Sequence, residues 1–210
     1  MNPSTIDFDA MQAFVRDCLV RTEPKMASGH NSWRNTGLAR WEHTQRVLTV
    51  AQRIARAENA DYDLVTVAAI FHDVAKFEST PDEHAARGAE IAAEYLARAG
   101  FSMAWTKRVG EIICNHVVSS AENFKLEDCI LRDADVLDEV GALSIVWTLL
   151  NTGIQAPSYA EARERILKHD RHSAERAVAL MLTQTGRAIS KERLAFVNRF
   201  IAQLDEELGL

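Results

Sequence analysis

The stretch that decides the fold is residues 67–78, VAAIFHDVAKFE, in which an apolar run ends in a histidine and an aspartate. The run begins upstream at Leu64 and is apolar almost all round a helix, which predicts a buried central helix that starts at a capping Asp61. An aspartate is costly to bury unless it is paired or bound to a metal ion. The pair His72-Asp73 therefore indicates a metal site, whereas an ordinary helix end with a solvated Asp73 is the competing interpretation.

Helical periodicity dominates on both sides of this stretch, and strand-like alternation is nearly absent. Glycine and proline are scarce, at 9 and 4 among 210 residues, which favours helix. We expect an all-α fold, a compact multi-helix bundle in a single domain, in which residues 1–39 form a helix and a loop packed on a core of residues 40–210. The predicted helices cover residues 9–20, 40–58, 61–73, 81–99, 103–116, 126–140 with a continuation to 150, 159–185 and 190–208.

Charge and cysteine content exclude several classes of protein. The formal net charge is −6 without a long basic run, which argues against binding of long nucleic acid but leaves a local basic pocket for a phosphorylated ligand open. Three scattered cysteines without a C-x-x-C pair argue against a disulfide framework and favour a reduced, cytoplasmic protein. The first ten residues lack signal-peptide features, and no apolar run approaches the roughly 18 residues of a membrane span. We therefore expect no membrane contact.

Two further stretches carry histidine and aspartate in a helical context. Residues 41–55, WEHTQRVLTVAQRIA, place His43 near the start of a helix with Arg46 one turn later on the same face. Within residues 130–142, ILRDADVLDEVGA, the segment 132–138 interleaves three acids with apolar residues. Each stretch alone is compatible with a partly buried helix-start histidine or a solvated acidic stripe. Their coincidence with the buried central helix indicates a shared metal site.

The order of His43, His72-Asp73 and Asp135 resembles the H…HD…D signature of the HD-domain superfamily. Residues 41–55 resemble the family's H-x-x-R-V start, residues 67–78 resemble its A-x-x-L-H-D-x-x-K helix, and residues 130–142 resemble its A-D-x-L-D element. Residues 182–208 resemble the C-terminal helices of small bacterial HD hydrolases. The resemblance covers the chain from about residue 40 to its end. It implies an all-helical HD-domain bundle and a metal-dependent phosphohydrolase.

Carried over to this sequence, the resemblance implies one set of ligands for a divalent ion, with Mn, Mg, Fe, Co and Ni as candidates. Asp135 is preferred to Asp133 because the family's ligand is the aspartate of its A-D dipeptide, and Asp133 would orient a ligand instead. The four implied ligands are His43, His72, Asp73 and Asp135.

Five further histidines need an interpretation. His84 and His116 stand where HD proteins with two metal ions carry additional histidines, so one or two ions per chain are expected. Contact with substrate phosphate and helix capping stay open for these two residues. His30, His169 and His172 match no family position, and we expect them at the surface or in loops.

The implied chemistry is hydrolysis of a phosphomonoester or phosphodiester, with a nucleotide as one candidate, by a water that a divalent ion activates. Asp73 is expected to take the water proton. Lys76, one turn beyond Asp73, and Arg46 are expected to contact substrate phosphate, with a surface lysine and a local ion pair as the alternatives. The competing functions are an HD-fold oxygenase with two irons and a non-catalytic ligand-binding HD domain. No H-H-E…G-Y-P element follows His116, which argues against a cyclic-dinucleotide phosphodiesterase.

Overall fold

The computed structural model describes residues 5–23, 36–80, 83–118, 120–152 and 158–210, and every regular element in these ranges is helical. The predicted all-α fold is thereby confirmed. A π-helical segment, Ile166–Arg171, lies between α8 and α9. The α-helices are α1 (Phe8–Thr22), α2 (Gly37–Glu58), α3 (Tyr62–Phe71), α4 (His84–Arg98), α5 (Met103–Asn115), α6 (Leu126–Asp138), α7 (Ala142–Thr152), α8 (Tyr159–Arg165), α9 (His172–Leu180) and α10 (Gln184–Leu208).

The chain folds into two compact units, Met1–Ala134 and Asp135–Leu210. In the first unit α3 is the central helix, since it packs against α1, α2, α4 and α5. Residues 64–71 of α3 are buried without interruption, as its apolar circumference predicts. In the second unit α10 packs against α7, α8, α9 and the π-helical segment. The predicted division at residue 40 stays a prediction.

The start of α2 lies three residues before the predicted start at Arg40. Thr36 caps this helix by accepting a hydrogen bond from the backbone N–H of Ala39, and Gly37 is its first residue. The helix begins against the backbone of α1, where a Cβ at Gly37 would lie 2.5 Å from the carbonyl oxygen of Leu19. Only glycine fits this close approach, and the earlier start puts Arg40 inside the helix.

The predicted continuation of α6 to residue 150 is wrong. The helix ends at Asp138, and α7 begins at Ala142 after a turn through Gly141. The φ of Gly141 is +101°, a left-handed conformation that breaks a helix and that L side chains rarely adopt. A Cβ at Gly141 would also lie 3.2 Å from Cγ of Arg193.

The boundaries of the last helices differ from the prediction as well. The predicted helix over residues 159–185 is interrupted by the π-helical segment and ends at Leu180. The last helix starts at Gln184 rather than near Ser190, because Thr183 caps it by accepting a hydrogen bond of 2.9 Å from the backbone N–H of Gly186. The fourth helix likewise starts at His84 rather than at residues 81–82, which lie outside the described residues.

Two other sequence expectations fall mainly on residues outside the described ranges. The predicted loop at residues 28–36 and the predicted break at 156–158 are described only at Thr36 and Ser158, both of which cap helices. None of the described helices has both the length and the apolar character that crossing a membrane requires.

Candidate metal centre

Four buried histidines and one buried aspartate converge within the first unit. His43 lies in the second turn of α2, His84 is the first residue of α4, and His116 directly follows α5. His72 and Asp73 directly follow the central helix α3. All five side chains are buried although none is apolar, which requires that they compensate one another or share a ligand.

Asp73 stands at the centre of this cluster, and its two carboxylate oxygens face different histidines. Oδ2 lies 3.6 Å from Nε2 of His43 and 3.8 Å from Nε2 of His72. Oδ1 lies 3.2 Å from Nε2 of His84 and 3.9 Å from Nε2 of His116. The carboxylate therefore lies between two pairs of imidazoles.

The backbone fixes the tautomer of two of these histidines. Nδ1 of His72 lies 2.8 Å from the carbonyl oxygen of Ala69, and Nδ1 of His116 lies 2.6 Å from that of Ile113. A carbonyl oxygen only accepts hydrogen bonds, so each Nδ1 carries a proton and donates it. Nε2 of each ring faces Asp73, and it keeps its lone pair whenever the ring is neutral. Metal-ligating histidines are held in this way.

Two cations border the cluster on opposite sides of Asp73. Nη1 of Arg40 donates a hydrogen bond of 2.9 Å to Oδ2, and Nζ of Lys76 lies 3.5 Å from Oδ1. Both side chains are partly exposed, at 21% and 30%. The chain after α3 continues in turns of i→i+3 hydrogen bonds, including Lys76 N–H to the carbonyl of Asp73. In such turns the side chains at i and i+3 eclipse, which brings Lys76 beside Asp73.

These surroundings decide the ionisation of Asp73. Burial raises the pKa of its carboxyl, but the charge of His72, the hydrogen bond from His84, and the cations Lys76 and Arg40 together lower it further. The resulting pKa lies well below its ordinary range, so the carboxyl is ionised inside the protein.

The donor set fits a divalent metal ion. Oδ1 of Asp73 is buried and accepts no hydrogen bond of good geometry from the described residues. Ligand atoms of Asp73, His84 and His116 all lie within 4.8 Å of one another. On the other side of the carboxylate, Nε2 of His43 and Nε2 of His72 are 3.2 Å apart, close to the separation of about 3.0–3.4 Å between two ligands that bind one ion at about 2.1 Å. Imidazole and carboxylate together suit borderline divalent ions.

The remaining predicted residues lie as follows. Asp135 is the first residue of the second unit and lies in α6, and its role as a ligand stays a prediction. Arg46 is half-buried in α2 one turn beyond His43, and its contact with phosphate also stays a prediction. His169 and His172 are exposed, and His30 lies outside the described residues.

Sequence reasoning missed Arg40, which precedes His43 by one helical turn. The signal for it was the spacing of three residues on a helix, which puts the two side chains on one face. The predicted helix over residues 40–58 already contains both residues, so this signal was available from the sequence.

Comparison with known families agrees with this site. The HD domain family matches residues 40–139. The chain carries an HD domain. Its matched region contains the four histidines and Asp73, and the resemblance drawn from the signature order is thereby confirmed.

Relatives of the HD domain extend the similarity to most of the chain. The protein YpgQ of Bacillus subtilis is 27% identical over 173 residues, which cover 80% of this chain and 83% of YpgQ. A crystal structure of YpgQ in complex with ADP covers 96% of this chain and 97% of that chain, with a TM-score of 0.64 at 24% identity. An HD-superfamily hydrolase from Bacillus thuringiensis covers 96% of both chains, with a TM-score of 0.69 at 22% identity. The fold is therefore that of HD-superfamily hydrolases.

A shorter region of similarity is shared with a larger enzyme. The bifunctional uridylyltransferase/uridylyl-removing enzyme of Acinetobacter baylyi is 34% identical over 119 residues, which are 55% of this chain. The match covers only 13% of that enzyme, so the similarity is limited to one part of it.

Proposed function

We propose that this HD domain hydrolyses a phosphate ester with a metal-activated water and that it holds two divalent ions. The observation that carries the proposal is the position of Asp73, an ionised and buried carboxylate whose two oxygens face two separate pairs of imidazoles. A carboxylate in such a position suits a bridge between two ions, as in two-metal phosphatases, where the ions are about 3.5–4 Å apart.

Asp73 would contribute to the binding of both ions. His43 and His72 would hold the first ion together with Asp73, and Asp135 is added as a predicted ligand on the family resemblance alone. His84 and His116 would hold the second ion together with Asp73. Mn, Mg, Fe, Co and Ni are all compatible with imidazole and carboxylate ligands.

The bound ions supply charge neutralisation at a phosphoryl oxygen and a lowered pKa for a water. The protein's own side chains contact the substrate phosphate. Lys76 and Arg40 carry positive charge at the rim of the cluster, where both are partly exposed and can contact substrate phosphate. Arg46 stays a predicted third cation. The general-base role of Asp73 that the sequence predicts stays a prediction.

A nucleotide is the substrate class that we favour. The crystal structure of YpgQ contains ADP, and this chain shares the fold of YpgQ over nearly its whole length. The substrate is thus a small phosphorylated molecule, and the cytoplasm is the expected location.

The set of four imidazoles also favours a second candidate, an HD-fold oxygenase with two irons. Iron accepts imidazole and carboxylate ligands as readily as the ions above. The two functions differ in product, because the oxygenase consumes dioxygen and the hydrolase releases phosphate.

The test measures metal content and phosphate release on the same preparations of untagged protein. Wild type, His72→Ala and the control His169→Ala, which replaces an exposed histidine, are incubated with Mn, Mg, Co, Ni or Fe. An aryl phosphate and a panel of nucleotides serve as substrates. We expect His72→Ala to lose metal and to lose phosphate release by about 10³-fold, whereas His169→Ala matches wild type. Equal behaviour of all three proteins would contradict the metal assignment.

One further variant separates ion binding from phosphate binding. Lys76→Ala is expected to keep its ions and to lose about 10²-fold in kcat/KM, with Lys107→Ala, an exposed lysine on α5, as its control. Oxygen uptake by the iron-loaded wild type without phosphate release would favour the oxygenase instead.

A further inference from the structure

Away from the histidines, the first unit contains a buried carboxylate with four hydrogen bonds, which we term the Asp128 clamp. Asp128 is 1% exposed and lies in the first turn of α6. Arg108 of α5 binds it with both terminal nitrogens, Nη1 to Oδ1 at 3.0 Å and Nη2 to Oδ2 at 2.8 Å. Nδ2 of Asn115 donates to Oδ1 at 3.1 Å, and the backbone N–H of Lys125 donates to Oδ2 at 2.8 Å. The Asp128 clamp consists of these four residues.

The Asp128 clamp joins the two ends of the connection between α5 and α6. Asn115 is the last residue of α5, and Lys125 directly precedes α6. The bond to Lys125 is one half of a capping box, in which a side chain in the first turn accepts the N–H of the capping residue. The bidentate pair with Arg108 holds the carboxylate in one orientation, since Arg and carboxylate form two parallel hydrogen bonds.

The end of α5 matters because His116 follows Asn115 directly. The last turns of helices fray easily, so a side chain just beyond a helix is well directed only if that end is held. His116 has its ring fixed by the bond to Ile113, and the Asp128 clamp holds the side chain of the neighbouring Asn115. Nε2 of His116 lies 3.9 Å from Oδ1 of Asp73, the longest of the four distances between Asp73 and the imidazoles. A small rotation at this helix end would therefore remove His116 from the second ion first.

We propose that Asp128, held by Arg108, is a positioning residue that directs His116 to the second metal ion through Asn115 and thereby sets the affinity for that ion. This inference rests on the two-ion site of the proposed function. The histidines of the first ion, His43 and His72, lie on α2 and directly after α3, and neither belongs to the Asp128 clamp. Loss of the clamp therefore converts a two-ion protein into a one-ion protein.

The experiment uses Mn²⁺ alone as the probe, with the full chain. Equilibrium dialysis with elemental analysis counts ions per chain over a range of Mn²⁺ concentrations, and electron paramagnetic resonance distinguishes a coupled Mn²⁺ pair from a single Mn²⁺. We expect Asp128→Asn to raise the dissociation constant of the second ion about tenfold or more and to replace the coupled signal by the single-ion signal. The first dissociation constant stays within about twofold of wild type.

Glu127→Gln is the matched control. Glu127 binds the same Arg108, at 3.0 Å, but it makes no contact with Asn115 or Lys125 in the described network. This variant is expected to bind two ions as wild type does. Two coupled ions with wild-type affinity in Asp128→Asn would overturn the proposal.

Two further outcomes are possible, namely that Asp128→Asn does not fold and that wild type does not bind two ions. If circular dichroism shows that Asp128→Asn does not fold, Asn115→Ala decides, because it removes only the hydrogen bond to the last residue of α5 and keeps the pair of Asp128 with Arg108. Loss of the second ion in Asn115→Ala supports the proposal, and retention overturns it. If wild type itself binds one ion or none, the two-ion assignment fails in the parent protein, and the positioning role falls with it.

Discussion

Asp73 in the first unit and Asp170 in the second unit are both buried carboxylates, and their surroundings shift the pKa of the two carboxyls in opposite directions. Asp73 in the first unit is 2% exposed, and Asp170 in the second unit is 3% exposed. Imidazoles and cations overcome burial around Asp73 and hold its pKa well below the usual range. Around Asp170 burial outweighs the hydroxyls of Ser144 and Thr148 and the charge of His169, and its pKa is raised.

The difference teaches that burial alone does not identify a metal site. Burial pushes every carboxyl towards its neutral form, and only the neighbouring groups decide whether it stays charged. A metal ion needs the charged form, because carboxylate ligands bind deprotonated. Asp73 meets this condition, whereas Asp170, on the π-helical segment, is set towards the neutral form because burial outweighs its hydrogen bonds with hydroxyl groups.

The largest expected effect separates the two carboxylates by metal-dependent stability. Mn²⁺ at about 100 times its dissociation constant stabilises a binding protein by about 2.7 kcal/mol per ion, which corresponds to a rise in Tm of roughly 5–10 °C for a chain of this length. Asp73→Asn is expected to lose this rise, because an amide cannot supply the anionic bridge. Asp170→Asn is expected to keep it. Differential scanning fluorimetry with and without Mn²⁺ measures both.

The comparison would break in either of two ways. A full Mn²⁺-dependent rise in Asp73→Asn would remove Asp73 from the ligands, and a lost rise in Asp170→Asn would give the second carboxylate a role in metal binding. Asp63→Asn, which replaces an exposed aspartate at the start of α3, controls for the loss of one negative charge.

The sequence was sufficient for the part of this comparison that depends on periodicity and order. The all-round apolar pattern of α3 allows only a central position, and Asp61 marks its start by accepting a hydrogen bond from the N–H of Leu64. His72 and Asp73 then follow at the end of a buried helix. The sequence therefore favoured a buried metal site at these two residues, with a solvated Asp73 as the alternative.

Other features depend on contacts between residues that are far apart in the chain, and hydrophobic periodicity gives no information about such contacts. Asp128 has the sequence context of an ordinary acid in a first helical turn, where a solvated carboxylate is also favourable. Its burial depends on Arg108, which is 20 residues away in the chain. The break at Gly141 is similar, since a lone glycine is compatible with a helix until its φ is known. The amino-acid composition of the π-helical segment does not distinguish it from an α-helix, so the sequence does not predict it.

The next largest expected effect is a loss of global stability when the third buried carboxylate, Asp128, is replaced. Removal of one partner from a buried ion pair typically costs about 3–5 kcal/mol, so Asp128→Asn is expected to lower the free energy of unfolding at pH 7 by about 3 kcal/mol. Glu127→Gln is expected to lose less than about 1 kcal/mol, because Arg108 keeps its bidentate partner. Urea unfolding of the metal-free proteins measures both changes.

The pH dependence of that loss has a definite sign. Burial raises the pKa of Asp128, but the hydrogen bond from Arg108, those from the Lys125 backbone and Asn115, and the charge of Arg108 lower it below its ordinary value. An acid with a lowered pKa in the folded state stabilises above its unfolded pKa, about 3.9, and loses this contribution as the pH falls through the folded pKa. The gap between wild type and Asp128→Asn should therefore narrow on acidification below about pH 4. A gap that stays constant would contradict the ion pair as its cause.

The smallest expected effect concerns Asp170 and has the opposite sign. Because the folded pKa is raised, the carboxyl stabilises the protein fully below its unfolded pKa, and this contribution is lost as the pH rises through the folded pKa. Asp170→Asn cannot ionise, so it should be more stable than wild type at pH 8, by an amount on the order of 1 kcal/mol, and lose this advantage in acid. Urea unfolding at several pH values measures the crossover, with Glu192→Gln, an exposed acid on α10, as the control. If Asp170→Asn is instead less stable than wild type at pH 8, the ionised carboxyl of Asp170 stabilises the fold. Asp73 and Asp170 would then differ only in the imidazoles that surround Asp73.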